Sequence, residues 1–468
     1  MNRTKYLIKN VGLLTLSGFS SKILVFLMVP LYTGVLSTQE YGEYDLVSTT
    51  IQLLIPILSL NINEAVMRFL MESKRQDEIL SIGLKYVLIA TLIMGIGLSV
   101  NIIFSVYAPI KNYSMLIFLY FFASLFYQYT VQAAKGMEKV LDISIAGTLA
   151  TVCTVVLNVM LLLKLKAGLR GFYVSYIFGQ FTPATYLFLK TGICKKLKIV
   201  TDKKLNNDMV KYAAPMITNS LGWWVNNISD RYVVTAICGV AINGIYSVSY
   251  KIPTILTTIQ QIFIQAWQIS AIKESDKKDA ATFYGHMIVI LNCVTVIGCI
   301  MLIWTTKIIA HFLYAKDFFD AWRYVPFLLL SSVINSASGI LGPILNADKN
   351  SLAMGRSAVV GAVTNILLNI VLVRQMGAQG AAIATAISSY VIYRCRLIAV
   401  GDRIKIERYY QLPITWILLA VQSCALIFEL PNIYQIFTII VNLLILFPEI
   451  KKIKHVVVSY KNKIGSSR

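Results

Sequence analysis

The stretch LYTGVLSTQEYGEYDLVS, at residues 31–48, recurs as VVTAICGVAINGIYSVSY at residues 233–250, and this repetition decides how the chain is organised. Aligning the two stretches superposes Tyr44 on Tyr246. Two further pairs follow in the same order along the chain, AAKGMEKV with ILNADKNS and KAGLRGFYVS with QMGAQGAAIA. Three matches in one order are unlikely to arise by chance, so they indicate that the chain is built from two similar halves.

The composition places both halves in a membrane. Of the 468 residues, 57% are hydrophobic and 14% are charged, whereas a soluble globular protein has about 25% charged residues. The mean hydropathy is +0.68. A transmembrane helix needs about 20 apolar residues, and fourteen apolar segments are recognisable in this sequence. They cover residues 8–36, 44–70, 79–107, 114–134, 141–163, 171–190, 210–238, 243–272, 281–310, 324–346, 351–373, 378–400, 412–428 and 432–449.

We therefore predict an all-α polytopic membrane protein with 14 transmembrane helices, arranged as two pseudo-symmetric six-helix bundles plus two C-terminal helices. Because six is even, both repeats enter the membrane from the same side, and their axis should lie along the membrane normal. The predicted parts are an N-lobe of helices 1–6 (residues 1–190), a basic cytoplasmic linker (191–209), a C-lobe of helices 7–12 (210–401), and helices 13–14 with a basic tail (402–468).

The distribution of positive charge predicts the orientation. The net charge is +21, which in a soluble protein would suggest nucleic-acid binding. Most of the 43 Lys and Arg residues fall in the two tails and in the loops that follow even-numbered helices. Such loops face the cytoplasm by the positive-inside rule, so we expect both termini to be cytoplasmic and no nucleic-acid partner. The first apolar segment lacks a cleavage site and is predicted to be retained.

Signals of enzyme chemistry are weak. The seven cysteines are scattered without a CxxC pair, and the three histidines are far apart, which argues against a disulfide framework or a metal site. Neither a catalytic motif nor a nucleotide-binding motif is recognisable. We predict that the protein is not an enzyme and holds no cofactor.

The stretch NNISDRYVV, at residues 226–234, carries the most informative charges. Asp230 and Arg231 lie about 12 Å from the end of their apolar segment, at about 1.5 Å per residue, and an unpaired charge there costs at least about 2.5 kcal/mol. Adjacent helical residues point about 100° apart, so each needs its own partner. Lys22 and Lys251 are also deep, and the three cations predict a shared cavity that suits a phosphate or pyrophosphate.

Two further patterns involve polar residues within spans. One is a stripe on the eighth segment whose spacing of three and four places its members on one helix face; it comprises Lys251, Thr254, Thr258, Gln261, Gln265 and Gln268. The stripe indicates either interhelical hydrogen bonding or the wall of a wet cavity whose amides and hydroxyls bind sugar. The other is Glu64 with Arg68, four residues apart, which predicts a local salt bridge.

Three stretches resemble one family of membrane proteins. VLSTQEYGEYDL, DRYVVTAICGVAINGIYSVSYKI and MGAQGAAIATAISSYV are similar to the polysaccharide transporters (Wzx-type O-antigen and capsule repeat-unit flippases) of the multidrug/oligosaccharidyl-lipid/polysaccharide superfamily. The resemblance covers nearly the whole chain. It implies two six-helix bundles forming a V, and a central cavity lined by helices 1, 2, 7 and 8. It assigns the cavity cations to Lys22, Arg231 and Lys251.

The resemblance also implies a function. An undecaprenyl-pyrophosphate-linked oligosaccharide would pass from the cytoplasmic to the outer leaflet of a bacterial plasma membrane by alternating access, with membrane lipids around it and polysaccharide polymerase or assembly proteins as partners. The candidate binding residues are Lys22, Asp230, Arg231, Lys251, Thr258, Gln261 and Gln265. Proton or sodium coupling through Asp230 or Glu64 is a further expectation. A lipid II flippase, a multidrug exporter and a membrane-embedded polymerase or glycosyltransferase are the alternatives.

Overall fold

The computed structural model of the chain is helical throughout the part that it describes. It describes residues 24, 26–73, 75–105, 111–198, 202–274, 279–347, 350–406 and 410–465. Every regular element within those ranges is a helix. The chain forms two compact units, Met1–Ile228 and Ser229–Arg468.

The first unit contains nine described helices and the beginning of a tenth. They are α1 Val29–Val35, α2 Thr38–Leu58, α3 Ile62–Glu72, α4 Gln76–Phe104, α5 Ser114–Gly136, α6 Val140–Asn158 (continued by a π-helical turn, Val159–Lys164), α7 Gly168–Lys190, α8 Ile193–Lys196, α9 Lys203–Ala213 and α10 Met216–Cys238. α2 begins with a capping box in which the Ser37 side chain accepts from the Glu40 backbone N–H and the Glu40 carboxylate accepts from the Ser37 backbone N–H.

The second unit contains the end of α10 and eight more helices. They are α11 Val240–Ser249, α12 Lys251–Glu274, α13 Ala280–Leu313, α14 Val325–Ala347, α15 Ser351–Met376, α16 Ala378–Val400, α17 Gln411–Ile427 and α18 Asn432–Gly465, with 3₁₀ turns at Lys316–Arg323 and Gly401–Arg403. The appended helices α17 and α18 pack on α13. The contact with α17 is polar, because the Trp416 Nε1–H donates to the Asn292 side-chain oxygen at 2.8 Å.

The predicted fold class is confirmed. Every predicted segment from 44–70 onward coincides with a helix or a broken pair of helices in the described part of the chain. By length and hydropathy, eight described helices can cross a membrane, or nine when α2 and α3 count as one bent span. Many of their large apolar side chains are exposed, as expected of surfaces that face hydrocarbon. The chain is a multi-pass membrane protein.

The bend between α2 and α3 is 54° and has a local cause. Pro56 lies inside α2 and lacks the N–H that would continue the helical hydrogen bonds. Leu60 and Asn61 then adopt left-handed backbone angles, with φ of 50° and 53°. Asparagine tolerates this conformation better than leucine does. The second predicted span is therefore interrupted rather than straight.

The predicted repeat is visible in matching glycines. The sequence alignment superposes Gly168, which begins α7, on Gly377, which immediately precedes α16. Both have positive φ values, 54° and 60°. Three residues later, Gly171 and Gly380 pack so tightly that an added Cβ would lie 3.1 Å from the Leu161 side chain in one unit and 2.3 Å from the Leu372 carbonyl oxygen in the other. Each repeat thus uses one glycine to turn the chain and the next to bring two helices together.

The segment predicted as a basic linker folds onto the first unit. α9 is amphipathic, burying Leu205 and Met209 while its lysines stay exposed. Just before it, Asp202 accepts a hydrogen bond from Arg75, and the Lys198 ammonium lies 2.6 Å from the Asp77 carboxylate. These contacts hold the linker against the beginning of α4. The lobe boundaries that we predict from the sequence remain predictions.

The contact between Asp202 and Arg75 predicts a pH dependence. The Arg75 guanidinium and the Leu205 backbone N–H lower the pKa of the Asp202 carboxyl below its usual range. A lowered folded-state pKa means that the contact stabilises the linker at neutral pH and is lost as the pH falls below about 4, through that lowered value. Asp202→Asn should reproduce this loss at pH 7, giving severalfold faster tryptic cleavage within residues 195–204. Asp208→Asn, on the exposed face of α9, is the matched control, and equal cleavage in both variants would refute the contact's role.

Candidate functional site

Asp230 is buried in the second unit and fully engaged by neutral donors. Its side chain is 3% exposed. One carboxylate oxygen accepts from the hydroxyls of Tyr246 and Tyr250, each at 2.6 Å. The other accepts from the Arg231 backbone N–H at 3.0 Å. Hydrogen bonds to a charged group are worth more than neutral ones, so these two phenols and one amide stabilise the carboxylate.

Arg231 contacts the same tyrosine from another direction. Its guanidinium carbon lies 5.2 Å from the centroid of the Tyr250 ring, within the range of a cation–π interaction. Because neighbouring residues on a helix diverge by about 100°, the carboxylate of Asp230 and the guanidinium of Arg231 meet different parts of Tyr250. The Tyr250 hydroxyl donates to the Asp230 carboxylate, and the Tyr250 ring face contacts the Arg231 guanidinium.

Lys251 follows Tyr250 directly and begins α12. It is half-buried. The structure brings Asp230 and Arg231 together around Tyr250. Lys251 is the next residue in the chain, and the three residues carry a net formal charge of +1.

An interruption of the helical hydrogen bonding occurs at Lys251. Pro253 cannot donate a backbone N–H, so the Ser249 carbonyl has no helical partner there. One residue earlier, the Tyr314 hydroxyl donates to the Val248 carbonyl at 3.2 Å, and the Ile252 N–H faces the same phenol oxygen. A buried phenol thus stands between two main-chain groups that would otherwise bond each other.

The predicted polar stripe of α12 divides between two environments. Thr258 is buried, and its hydroxyl donates to the Thr254 carbonyl of the same helix at 2.7 Å. Thr254 and Gln261 are exposed. The side chains of Gln265 and Gln268 lie outside the part that the structure describes. Gln260, which the stripe omits, is 4% exposed, and its amide nitrogen has no hydrogen-bond partner among the described residues.

The site residues predicted in the first unit have other neighbours. The predicted salt bridge between Glu64 and Arg68 is wrong, because Arg68 pairs with Glu72 at 2.5 Å. Glu64 instead accepts from the Gln132 amide of α5 at 2.6 Å. Glu64 and Glu72 each lie four residues from Arg68, so helix geometry allows either ion pair. Glu64 is bound by Gln132 instead. Lys22 lies outside the described residues.

Two tyrosines that bind Asp230 were missed by the sequence analysis as site residues. Tyr246 was visible as the repeat counterpart of Tyr44, and Tyr250 follows it by one helical turn. In the first unit, the Tyr44 hydroxyl lies 3.4 Å from that of Tyr120, within a buried aromatic cluster. The same repeat position therefore bonds a second phenol in one unit and a carboxylate in the other.

Comparisons with known proteins agree with this architecture. The profile of the family described as polysaccharide biosynthesis protein matches residues 7–268, which is more than half of the chain. The uncharacterized membrane protein MJ1375 of Methanocaldococcus jannaschii is 23% identical over 414 residues, covering 84% of this chain and 97% of that protein.

Solved structures show the same fold at low identity. The lipid II flippase MurJ, in an inward closed conformation, superposes with a TM-score of 0.71 at 13% identity, covering 95% of this chain and 99% of that one. An inward-facing multidrug resistance MATE family transporter of the MOP superfamily gives a TM-score of 0.67 at 12% identity, covering 86% and 95%. On the family match, the chain belongs to the polysaccharide biosynthesis protein family.

Proposed function

We propose that the protein is a flippase that moves an undecaprenyl-pyrophosphate-linked oligosaccharide from the cytoplasmic to the outer leaflet of a bacterial plasma membrane, with both termini cytoplasmic. The observation that carries this proposal is the arrangement around Tyr250. Two phenols and an amide bind the Asp230 carboxylate, and the Arg231 guanidinium lies over the ring of one of these phenols. In this proposal, Arg231 and Lys251 provide positive charge for a diphosphate.

The remaining candidate residues have distinct proposed roles. Lys22 would add a third cation from the first helix. Thr258, Gln261 and Gln265 would bind sugar hydroxyls, since amides and hydroxyls both donate and accept hydrogen bonds. Asp230 and Glu64 are the candidates for exchanging a proton or a sodium ion. An interior-negative membrane potential itself favours outward movement of an anionic headgroup by about 2.3 kcal/mol per net charge per 100 mV.

The direct test uses purified full-length protein in lipid vesicles. The probe is a fluorescent oligosaccharide linked to a polyprenyl pyrophosphate, and the measurement is its accessibility to a membrane-impermeant quencher. We expect the protein to move the probe between leaflets without forming a new glycosidic bond. The same vesicles with an imposed pH or sodium gradient test ion coupling.

Two control probes and one product assay separate the alternatives. Faster transfer of a peptide-bearing lipid II than of the peptide-free probe would favour a lipid II flippase. Transport of a lipophilic cation in place of the probe would favour a drug exporter, and chain extension of the sugar would favour a polymerase or glycosyltransferase. Failure to transfer the pyrophosphate-linked probe would refute the proposal.

A further inference from the structure

The first unit contains a cavity that the proposed transport site does not use. It has a volume of about 490 Å³, in the range of ligand pockets. Helices α2, α4, α5 and α7 surround it, and all of its lining residues belong to this one unit. Its walls are mostly aliphatic; they include Leu46, Val47, Ile51, Leu54, Met94 and Leu98.

Most of the polar lining residues lie together at one end of the cavity; Thr50 lies deeper, and its hydroxyl donates to the Leu46 carbonyl. Glu43 lies near the beginning of α2, Asn101 near the end of α4, and Tyr113 immediately before α5. Successive membrane-spanning helices run in opposite directions, so the beginning of α2, the end of α4 and the beginning of α5 lie on the same side of the membrane. The cavity therefore has a polar mouth near the membrane surface and an apolar interior.

The depth of the cavity matches one leaflet. From Glu43 to Leu54 the lining advances eleven residues along α2, or about 16 Å at about 1.5 Å per residue. Half of the hydrocarbon core of a bilayer is about 15 Å thick. A chain that entered at the mouth and followed α2 would reach the bilayer midplane.

The cavity opens toward lipid along α4. Gly97 and Val100 line it and are exposed, and neighbouring residues of α4 such as Ile96 and Ile103 are exposed at 57% and 71%. An added Cβ on Gly97 would meet nothing within 4 Å, so this glycine leaves the opening clear. Water is disfavoured in such an apolar space and an empty cavity forgoes packing contacts, which leaves hydrocarbon as the natural occupant.

We propose that this cavity binds one acyl chain of an aminophospholipid, with the lipid ammonium at Glu43. Glu43 is half-buried, and its carboxylate accepts from the Gln39 amide at 3.0 Å. A carboxylate at the mouth attracts an ammonium group and repels a phosphate that lacks one. This charge selects a lipid such as phosphatidylethanolamine over phosphatidylglycerol. It also argues against the pyrophosphate-linked substrate as the occupant.

The test is photo-crosslinking of the full-length protein in nanodiscs. The probe is phosphatidylethanolamine with a diazirine in one acyl chain, and the crosslinked peptides are located by mass spectrometry. We expect adducts within residues 46–54 and 94–101, at several times the yield of the matching phosphatidylglycerol probe. Glu43→Gln should lower the phosphatidylethanolamine yield to that of phosphatidylglycerol.

A pair of glycine variants separates the cavity from ordinary lipid contact. Gly97→Leu should block the opening and reduce the adducts severalfold. Gly355→Leu, on α15, is the matched control, because Gly355 is also exposed and an added Cβ there meets nothing within 4 Å. The proposal is overturned if Gly97→Leu leaves the adducts unchanged, if the wild-type protein labels equally with both phospholipids, or if a diazirine polyprenyl phosphate labels these segments more strongly. None of these outcomes depends on transport.

Discussion

Arg231→Ala and Lys251→Ala should each lower the rate of leaflet transfer of the pyrophosphate-linked probe by about 100-fold or more. A charge-assisted hydrogen bond is worth about 1.5 kcal/mol or more, and a guanidinium can make two to one phosphate. Since each 1.4 kcal/mol is a factor of ten, losing two such bonds accounts for the Arg231 effect. Lys251 contributes a single ammonium with three donors, and its loss also removes the second charge beside Tyr250.

Two matched substitutions make this prediction specific to the site. Arg231→Lys keeps the charge but not the planar fork, so its transfer rate should fall between those of the wild type and Arg231→Ala. Arg356→Ala removes an exposed arginine of α15 in the same unit and should transfer normally. Membrane insertion is checked by the amount of folded protein in each preparation. Wild-type transfer by both Arg231→Ala and Lys251→Ala would remove the cationic site from consideration.

The second large effect concerns stability. Tyr246→Phe combined with Tyr250→Phe removes both phenol hydroxyls from Asp230 and leaves a buried carboxylate with a backbone amide alone. At about 1.5–3 kcal/mol for each hydrogen bond to a charged group, the double variant should lose about 3 kcal/mol or more of unfolding free energy. The measurement is an unfolding titration in mixed micelles followed by circular dichroism.

The charge on Asp230 explains why this loss should be reversible. Adding Asp230→Asn to the double variant replaces the buried charge by a neutral amide, so much of the stability should return. Tyr324→Phe is the control, because Tyr324 contacts Tyr246 through its ring at 5.7 Å and the substitution keeps that ring. If the triple variant is no more stable than the double variant, the hydroxyls act through packing and not through the carboxylate.

The overall architecture was predictable because it depends on patterns that repeat. Apolar segments of membrane-spanning length locate the helices, and the alignment of Gly168 with Gly377 anticipates two turns with positive φ. The break between α2 and α3 was not predicted as a bend. Pro56 is visible in the sequence, but the left-handed angles at Leu60 and Asn61 depend on how the two pieces pack.

The partners of charged residues were less predictable than their depth. That Asp230 and Arg231 need separate partners follows from helix geometry alone. Helix geometry does not reveal that Tyr250 contacts both residues. A tyrosine four residues after another is equally consistent with ordinary packing. The error at Glu64 has the same origin: Arg68 has one carboxylate four residues before it and another four residues after it, and local spacing alone cannot choose between them. Gln132, which binds Glu64, is 68 residues away.

The hydroxyl of Tyr314 lowers the free-energy cost of the helix interruption beside Lys251. With the phenol inserted, the Val248 carbonyl accepts from the Tyr314 hydroxyl and the Ile252 N–H faces the phenol oxygen. With the phenol withdrawn, the same two groups can satisfy each other as in any α-helix. In either pattern the two main-chain groups have a polar neighbour, so withdrawal of the phenol would allow a continuous helix to form through this segment. Lys251 lies at that point, and its backbone position is therefore coupled to the residue that follows α13.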